Sequence, residues 1–248
     1  MIHCFLSPQA WTGDIVALSP DEAHHALRVR RVRAGDSIRV FDGAGLSAES
    51  IVLSAQAGSV HVQLKPETRK LDPPSRPETV LIQALPKHGL MDEIVQKAVE
   101  LGAAALVPVI TERGIVRDEG ASNSKKIERW NKIALESAKQ TGATRLPVIQ
   151  AVTTLADWIA RLPVKGALWV PTLNSGTRPF REVLAAVKRM PPESIFVVIG
   201  PEGDLSEAEV QALQNRGGVP VTFGRNIMRV ATAATYALSV IHYELSAT

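Results

Sequence analysis

The chain has 248 residues, 45% of them hydrophobic and 21% charged, the proportions of an ordinary globular protein long enough for one large domain or two modest ones. No uncharged apolar run approaches the roughly 18 to 20 residues of a membrane-spanning helix, and the start Met1-Ile2-His3-Cys4-Phe5 lacks the basic and apolar regions of a signal peptide, which points to the cytoplasm. A single cysteine, Cys4, excludes an intrachain disulfide and a cysteine-rich zinc site, while a net charge of +3 and a pI near 9.1 permit a nucleic-acid partner without requiring one.

Cys4 falls in an apolar start with Ile2, Phe5 and Leu6 that reads as a strand, so a packed cysteine is expected rather than a reactive thiol. Arg28, Arg30, Arg31 and Arg33 then crowd into six residues. A phosphate-contacting patch and a solvated basic face both fit that cluster. Alternating segments at Ser37 to Phe41, Ser47 to Ser54 and Ser59 to Leu64 are separated by Asp42-Gly43 and Ala57-Gly58, the pattern of hairpin-connected strands. Within it, Gly43-Ala44-Gly45-Leu46-Ser47-Ala48 formally matches a dinucleotide-binding fingerprint, but that motif needs a helix to follow, and Glu49 to Ser54 reads as a strand. It is therefore read as a hairpin turn.

Pro73, Pro74 and Pro77 stand within five residues and favour an extended linker. The expected domains are a β-rich module at 1–72, a linker at 73–78 and a larger domain at 79–248. In the latter, apolar runs at Val80 to Leu85, Ala104 to Val109, Ala167 to Val170 and Ile195 to Ile199 alternate with helical periods, which predicts an α/β fold with a parallel sheet flanked by helices. One helix falls between Gly89 and Gly102, with Leu90, Met91, Ile94, Val95, Ala98 and Leu101 on its apolar face; a second runs from about Ser124 to Gln140, with Gly142 just beyond.

Several chemistries lack their key residues. There is no phosphate-loop motif, no zincin motif and no nucleophile elbow, and His88 and His242 have no partners at metal-ligand spacing, so no metal is implied. His24 and His25 belong to the first module as packed, surface or RNA-facing groups. The informative segment is Ile199-Gly200-Pro201-Glu202-Gly203-Asp204-Leu205-Ser206, which leaves the most apolar strand and enters a helix whose start is fixed by a Ser206/Glu209 capping box. Ligands bind at such loops in open α/β sheets, and glycines let the main chain approach them closely. A second strand, Val219 to Phe223, runs through Gly224-Arg225-Asn226-Ile227-Met228-Arg229 into the C-terminal helix, so two strand-to-helix loops predict one shared pocket built largely from main chain.

The two loops together, Gly200-Pro201-Glu202-Gly203 and Gly224 through Ile227-Met228-Arg229 to Thr232-Ala233, resemble those of the SPOUT methyltransferases, and specifically the RsmE-type enzymes that methylate N3 of a uridine in bacterial small-subunit ribosomal RNA. The resemblance covers nearly the whole chain. Lys87, Met91, Lys97 and Glu100-Leu101-Gly102 are similar to the family's first helix of the catalytic domain, Arg113 to the exit of the next strand, and Trp130, Gln140, Arg145 and Pro147 to the segment after it. His25, Arg31, Arg33, Gly35-Asp36 and Phe41-Asp42-Gly43 resemble an N-terminal PUA-like module.

The resemblance implies a SPOUT domain with a parallel sheet and a deep trefoil knot, a small PUA-like β-barrel before it, a homodimer, and S-adenosylmethionine as cofactor. It places the cofactor against Pro171, Thr172 and Leu173; Ile199, Gly200, Pro201, Glu202 and Gly203; and Phe223, Gly224, Ile227, Met228, Arg229, Thr232 and Ala233. Ribosomal RNA, free or in the assembled small subunit, would meet Arg28, Arg30, Arg31, Arg33, Lys87, Arg113 and Arg145. Methylating uracil N3 requires loss of its imide proton, so Arg229 is the expected group for stabilising the anion or orienting the base, with Glu202 orienting substrate or capping a loop. Two positions depart from the family pattern: many relatives carry Glu where this chain has Ala231, and Gly where it has Asp204. A SPOUT enzyme for another ribosomal or transfer RNA position and a noncatalytic RNA-binding assembly factor are the alternatives.

Overall fold

The computed structural model describes residues 1–56, 58–87, 89–114, 121–162, 165–174 and 176–245, so that Ala57 and His88 of the sequence reading lie outside the described residues. The chain divides into two units, Met1–Pro74 with Leu135–Leu146, and Ser75–Ala134 with Pro147–Thr248.

In the first unit the alternating segments pair as expected. Strands β1 (Ile2–Phe5), β2 (Ile15–Ala17), β3 (Ser37–Phe41), β4 (Leu46–Gln56), β5 (Ser59–Leu64) and β6 (Lys70–Leu71) form a sheet of order β1-β3-β4-β5-β2, with β6 on β4. The β3-β4 and β4-β5 pairs are antiparallel, whereas β1 lies parallel to β3. Helix α1 (Pro20–Arg28) starts where Ser19 accepts the Glu22 amide, and it places Ala23 and Ala26 among Cys4, Ile38, Val40, Val52 and Val62 in the core. The fingerprint-like segment is a turn: Asp42 Oδ1 accepts the amides of Ala44 (2.7 Å) and Leu46 (3.0 Å), and strand β4 follows directly. Gly45 (φ 106°) must be glycine, because a Cβ there would stand 2.6 Å from the Asp72 carbonyl oxygen.

The second unit contains β7 (Glu78–Ala84), α2 (Leu90–Glu100), β8 (Ala105–Ile110), the part of α3 (Ala121–Thr141) up to Ala134, β9 (Val148–Ile149), β10 (Thr153–Thr154), α4 (Leu155–Arg161), β11 (Ala167–Pro171), β12 (Arg178–Pro179), α5 (Phe180–Arg189), β13 (Ser194–Ile199), α6 (Glu207–Gln214), β14 (Val219–Thr222) and α7 (Val230–Leu245). The sheet runs β10-β8-β7-β13-β11-β14-β12, and all its pairs are parallel. Its central strands are buried on both faces, which is why they read as continuous apolar runs. Leu155, Trp158, Val210 and Leu213 of α4 and α6 cover one face, packing on Ile82, Val107, Leu168 and Val198. On the other, α7 touches α2, α5, β7 and β13. Among the described residues no helix is long and apolar enough to cross a membrane.

One departure from the linear boundary is physical. Residues 135–146, placed by sequence in the second domain, group with the first unit because the second half of α3 is bonded there. The buried Lys139 ammonium pairs with Glu22 and Glu136, the Thr144 hydroxyl donates to Asp72 (2.8 Å), and Arg145 Nε donates to the Asp72 carbonyl (2.9 Å). At Gly142 (φ 80°), which ends the helix, a Cβ would lie 2.6 Å from the His3 ring.

Candidate functional site

The register of the second sheet brings three strand ends to one edge: Ile199 lies beside Gln83, and Pro171 beside Val221. The loops leaving β11, β13 and β14, with Lys87 and Leu90 at the start of α2, enclose a cavity of about 500 Å3. Of the expected cofactor residues, Pro171, Thr172, Leu173, Ile199, Gly200, Pro201, Glu202, Phe223, Gly224, Ile227, Met228, Arg229 and Ala233 line it, whereas Gly203 and Thr232 do not. The lining also includes Leu90, Val221 and Thr222, which the sequence did not point to, Asp204, Asn226 and Val230, which fall in or beside the predicted loops without being singled out, and Lys87, which was expected to meet RNA. Val221 and Thr222 had a usable signal as the last residues of a strand; Leu90 read only as a core position of a helix.

Each loop is held by polar groups distant in sequence. Glu202 Oε1 accepts the Lys87 amide at 3.0 Å, so of its two expected roles the capping one is occupied. Arg113 donates to the carbonyls of Gly203 (3.3 Å) and Leu205 (3.5 Å). Glu209 completes the capping box with Ser206 and, through its other oxygen, accepts the Glu112 amide at 2.8 Å. Asp204 accepts the Thr172 hydroxyl and the Leu173 amide, both at 2.8 Å. On the third loop, Phe223 packs edge-on against Phe180 (4.9 Å between ring centres) and tilted against Tyr236 (5.0 Å), which fixes the exit of β14. Arg229 is exposed, lines the cavity and has no side-chain hydrogen bond or ion pair among the described residues. Ala231 is buried in the first turn of α7 and is not part of the lining.

The other basic residues fall into two groups. Arg28, Arg30, Arg31 and Arg33 are all exposed on the first unit, at the end of α1 and just after it. Arg145 is half-buried and bonded to Asp72, and Arg113 is engaged with the loop after β13. Burial pushes the Cys4 thiol up to about 12, with the Glu22 carboxylate adding to the effect, and this removes it as a nucleophile at neutral pH. Among the described residues no cluster of histidine, cysteine or carboxylate side chains is arranged to hold a metal ion.

Comparison with known proteins adds identity to this geometry. Residues 73–242 match the model of an RNA methyltransferase domain, and residues 18–65 that of an RNA methyltransferase PUA domain. The chain is 32% identical over 234 residues to ribosomal RNA small subunit methyltransferase E of Bacillus subtilis, covering 92% of this chain and 90% of that protein. It is 30% identical to the Mycobacterium tuberculosis protein of the same name, covering 93% and 87%. The crystal structure of the Neisseria gonorrhoeae protein of that name, bound to S-adenosyl methionine, superposes with a TM-score of 0.85 at 27% identity, covering 97% of this chain and 96% of that one.

Proposed function

The chain belongs to the RNA methyltransferase family, and from that membership we propose that it transfers a methyl group from S-adenosylmethionine to N3 of a uridine in small-subunit ribosomal RNA. The observation that carries this reading is the cavity at the strand ends of the second unit, with the Arg229 guanidinium, unpaired among the described residues, in its wall. Its volume of about 500 Å3 suits a nucleoside-sized ligand. Leu173, Ile199 and Ile227 offer apolar surface to an adenine ring, and the carboxylates of Glu202 and Asp204 complement a cationic ligand, so the residues present fit the cofactor.

When bound, S-adenosylmethionine supplies an electrophilic methyl group on a sulfonium. The chain must bring a uracil N3 to that methyl with its imide proton lost. The Arg229 guanidinium is free of competing partners among the described residues, so it stabilises negative charge developing on the uracil. Glu202 acts by holding the Lys87 turn at the cavity edge. With Ala231 buried and no carboxylate at that position, anion stabilisation rather than a base there carries the chemistry.

The reading extends to the rest of the molecule. The trefoil knot of the second unit and the small barrel of the first are part of the reading through the family resemblance; the parallel sheet in which β14 lies between β11 and β12, both earlier in the chain, is compatible with the former. A homodimer is part of the reading through the family resemblance, and the exposed arginines 28, 30, 31 and 33 support contact with ribosomal RNA in the cytoplasm. The test is methyl transfer to small subunits, and to their free RNA, from cells lacking the modification, with the product nucleotide mapped by mass spectrometry. Methyl incorporation at a uridine N3 is expected; binding of cofactor without incorporation into either substrate would overturn the reading.

A further inference from the structure

Asp204 lines the cavity in a left-handed backbone conformation (φ 59°), which for a residue with a side chain carries a penalty of about 1 kcal/mol and is tolerated best by aspartate and asparagine. Its carboxylate is shared between two loops. Oδ1 accepts the amide of Leu205 at 2.8 Å, on its own loop. Oδ2 accepts the Thr172 hydroxyl and the Leu173 amide, 32 and 31 residues earlier, each at 2.8 Å. Thr172 Oγ1 in turn accepts the Asn174 amide at 3.3 Å, so the turn after β11 hangs from one carboxylate through a short chain of hydrogen bonds. Thr172 is buried, whereas Leu173 is 64% exposed where it lines the cavity. Bonds to an ionised acceptor are roughly twice as strong as neutral ones. Strain held in place by such bonds at a ligand cavity is a feature of sites that are ordered in advance.

We infer that Asp204 is a positioning residue for the cofactor: by tying residues 172–174 to the loop after β13, it sets the Leu173 wall of the cavity before S-adenosylmethionine arrives. The inference rests on the proposed identity of that ligand. A wall ordered in advance has no ordering cost left at binding, so loss of the tie weakens affinity. Asparagine tolerates the same backbone and keeps one acceptor oxygen, which can face Thr172 and Leu173, but it sets an NH2 donor against the Leu205 amide, whereas glycine relaxes the backbone and removes both acceptors.

Calorimetric titration of the full chain with S-adenosylmethionine tests this, comparing the unaltered protein with Asp204→Asn, Asp204→Gly, Thr172→Val and the Asp204→Gly/Thr172→Val pair. Asp204→Asn, which can keep the acceptor for Thr172 and Leu173, is expected to bind about threefold more weakly than the unaltered chain, and Asp204→Gly, which keeps none, about tenfold more weakly. Thr172→Val weakens binding by about threefold, and the pair binds about as Asp204→Gly alone, since both cut the same tie. In steady-state methyl transfer, Asp204→Gly is expected to raise the KM for S-adenosylmethionine by about the same tenfold factor as the calorimetric loss. Unchanged affinity in Asp204→Gly, or equal weakening in Asp204→Asn and Asp204→Gly, would overturn the inference, whatever happens to the melting temperature. Absence of binding by the unaltered chain would instead overturn the functional reading beneath it.

Discussion

Arg229 and Cys4 show how one residue's surroundings decide what its chemistry is for. Arg229 is exposed at the cavity wall with no partner among the described residues, so its charge is available to a substrate rather than consumed by the fold. Replacing it with alanine is expected to lower methyl-transfer kcat by about 10² to 10³, the usual effect of removing one group that meets developing charge. Single-turnover rates at saturating cofactor read that directly, and unchanged rates would remove Arg229 from the chemistry. Cys4 is the opposite case. Buried in the core of the first unit, it has its thiol pushed up to about 12, so almost no thiolate exists at pH 8. A colorimetric thiol reagent is therefore expected to leave the folded chain unlabelled over hours and to label one thiol per chain at once in denaturant.

At the scale of elements, local rules made the starts and ends of helices readable, and contacts across the chain did not. The Ser206/Glu209 capping box and the Gly142 helix end follow from side-chain reach and backbone freedom within a few residues, and both are present. The same is true of the apolar runs that became β7, β8, β11 and β13. What holds the site loops is different in kind: Glu209 to the Glu112 amide spans 97 positions, Glu202 to the Lys87 amide 115, and no periodicity encodes such pairs. The destination of α3 was hidden for the same reason, since its second half is set by Lys139 meeting Glu22 from a helix at the other end of the sequence. Burial disfavours that ammonium, but hydrogen bonds and charge from Glu136 and Glu22 outweigh it, and the folded pKa lies above the ordinary lysine value. Its contribution to stability is therefore fully present below an ordinary lysine pKa of about 10.5 and is lost as pH rises through the higher folded value. Lys139→Ala leaves Glu22 buried without its cation and is expected to destabilise by about 3 to 5 kcal/mol at neutral pH, read by denaturant unfolding.

For the whole molecule, net charge is a poor guide to where RNA would bind. The chain carries +3, yet residues 1–72 hold 8 basic and 8 acidic side chains, and the excess falls after them, 20 against 17. The charges differ more in engagement than in number. In the first unit Lys139 is buried against carboxylates and Arg145 is bonded to Asp72, whereas Arg28, Arg30, Arg31 and Arg33 stand exposed together. If RNA is held through that group, each arginine that neutralises a phosphate releases condensed counterions, and affinity falls with salt by about 0.7 per contact in a log–log plot for single strands and 0.9 for duplex. Replacing Arg30 and Arg31 together by alanine is expected to make that slope shallower by about 1.4 to 1.8 in filter-binding or anisotropy measurements with small-subunit ribosomal RNA. The same change at Arg113 and Arg145 should leave the slope within about 0.5, because those guanidiniums already serve carbonyls of the protein. A slope unaltered by the Arg30/Arg31 change would reduce the cluster to a solvated basic face, and RNA contact would then have to be sought on other surfaces.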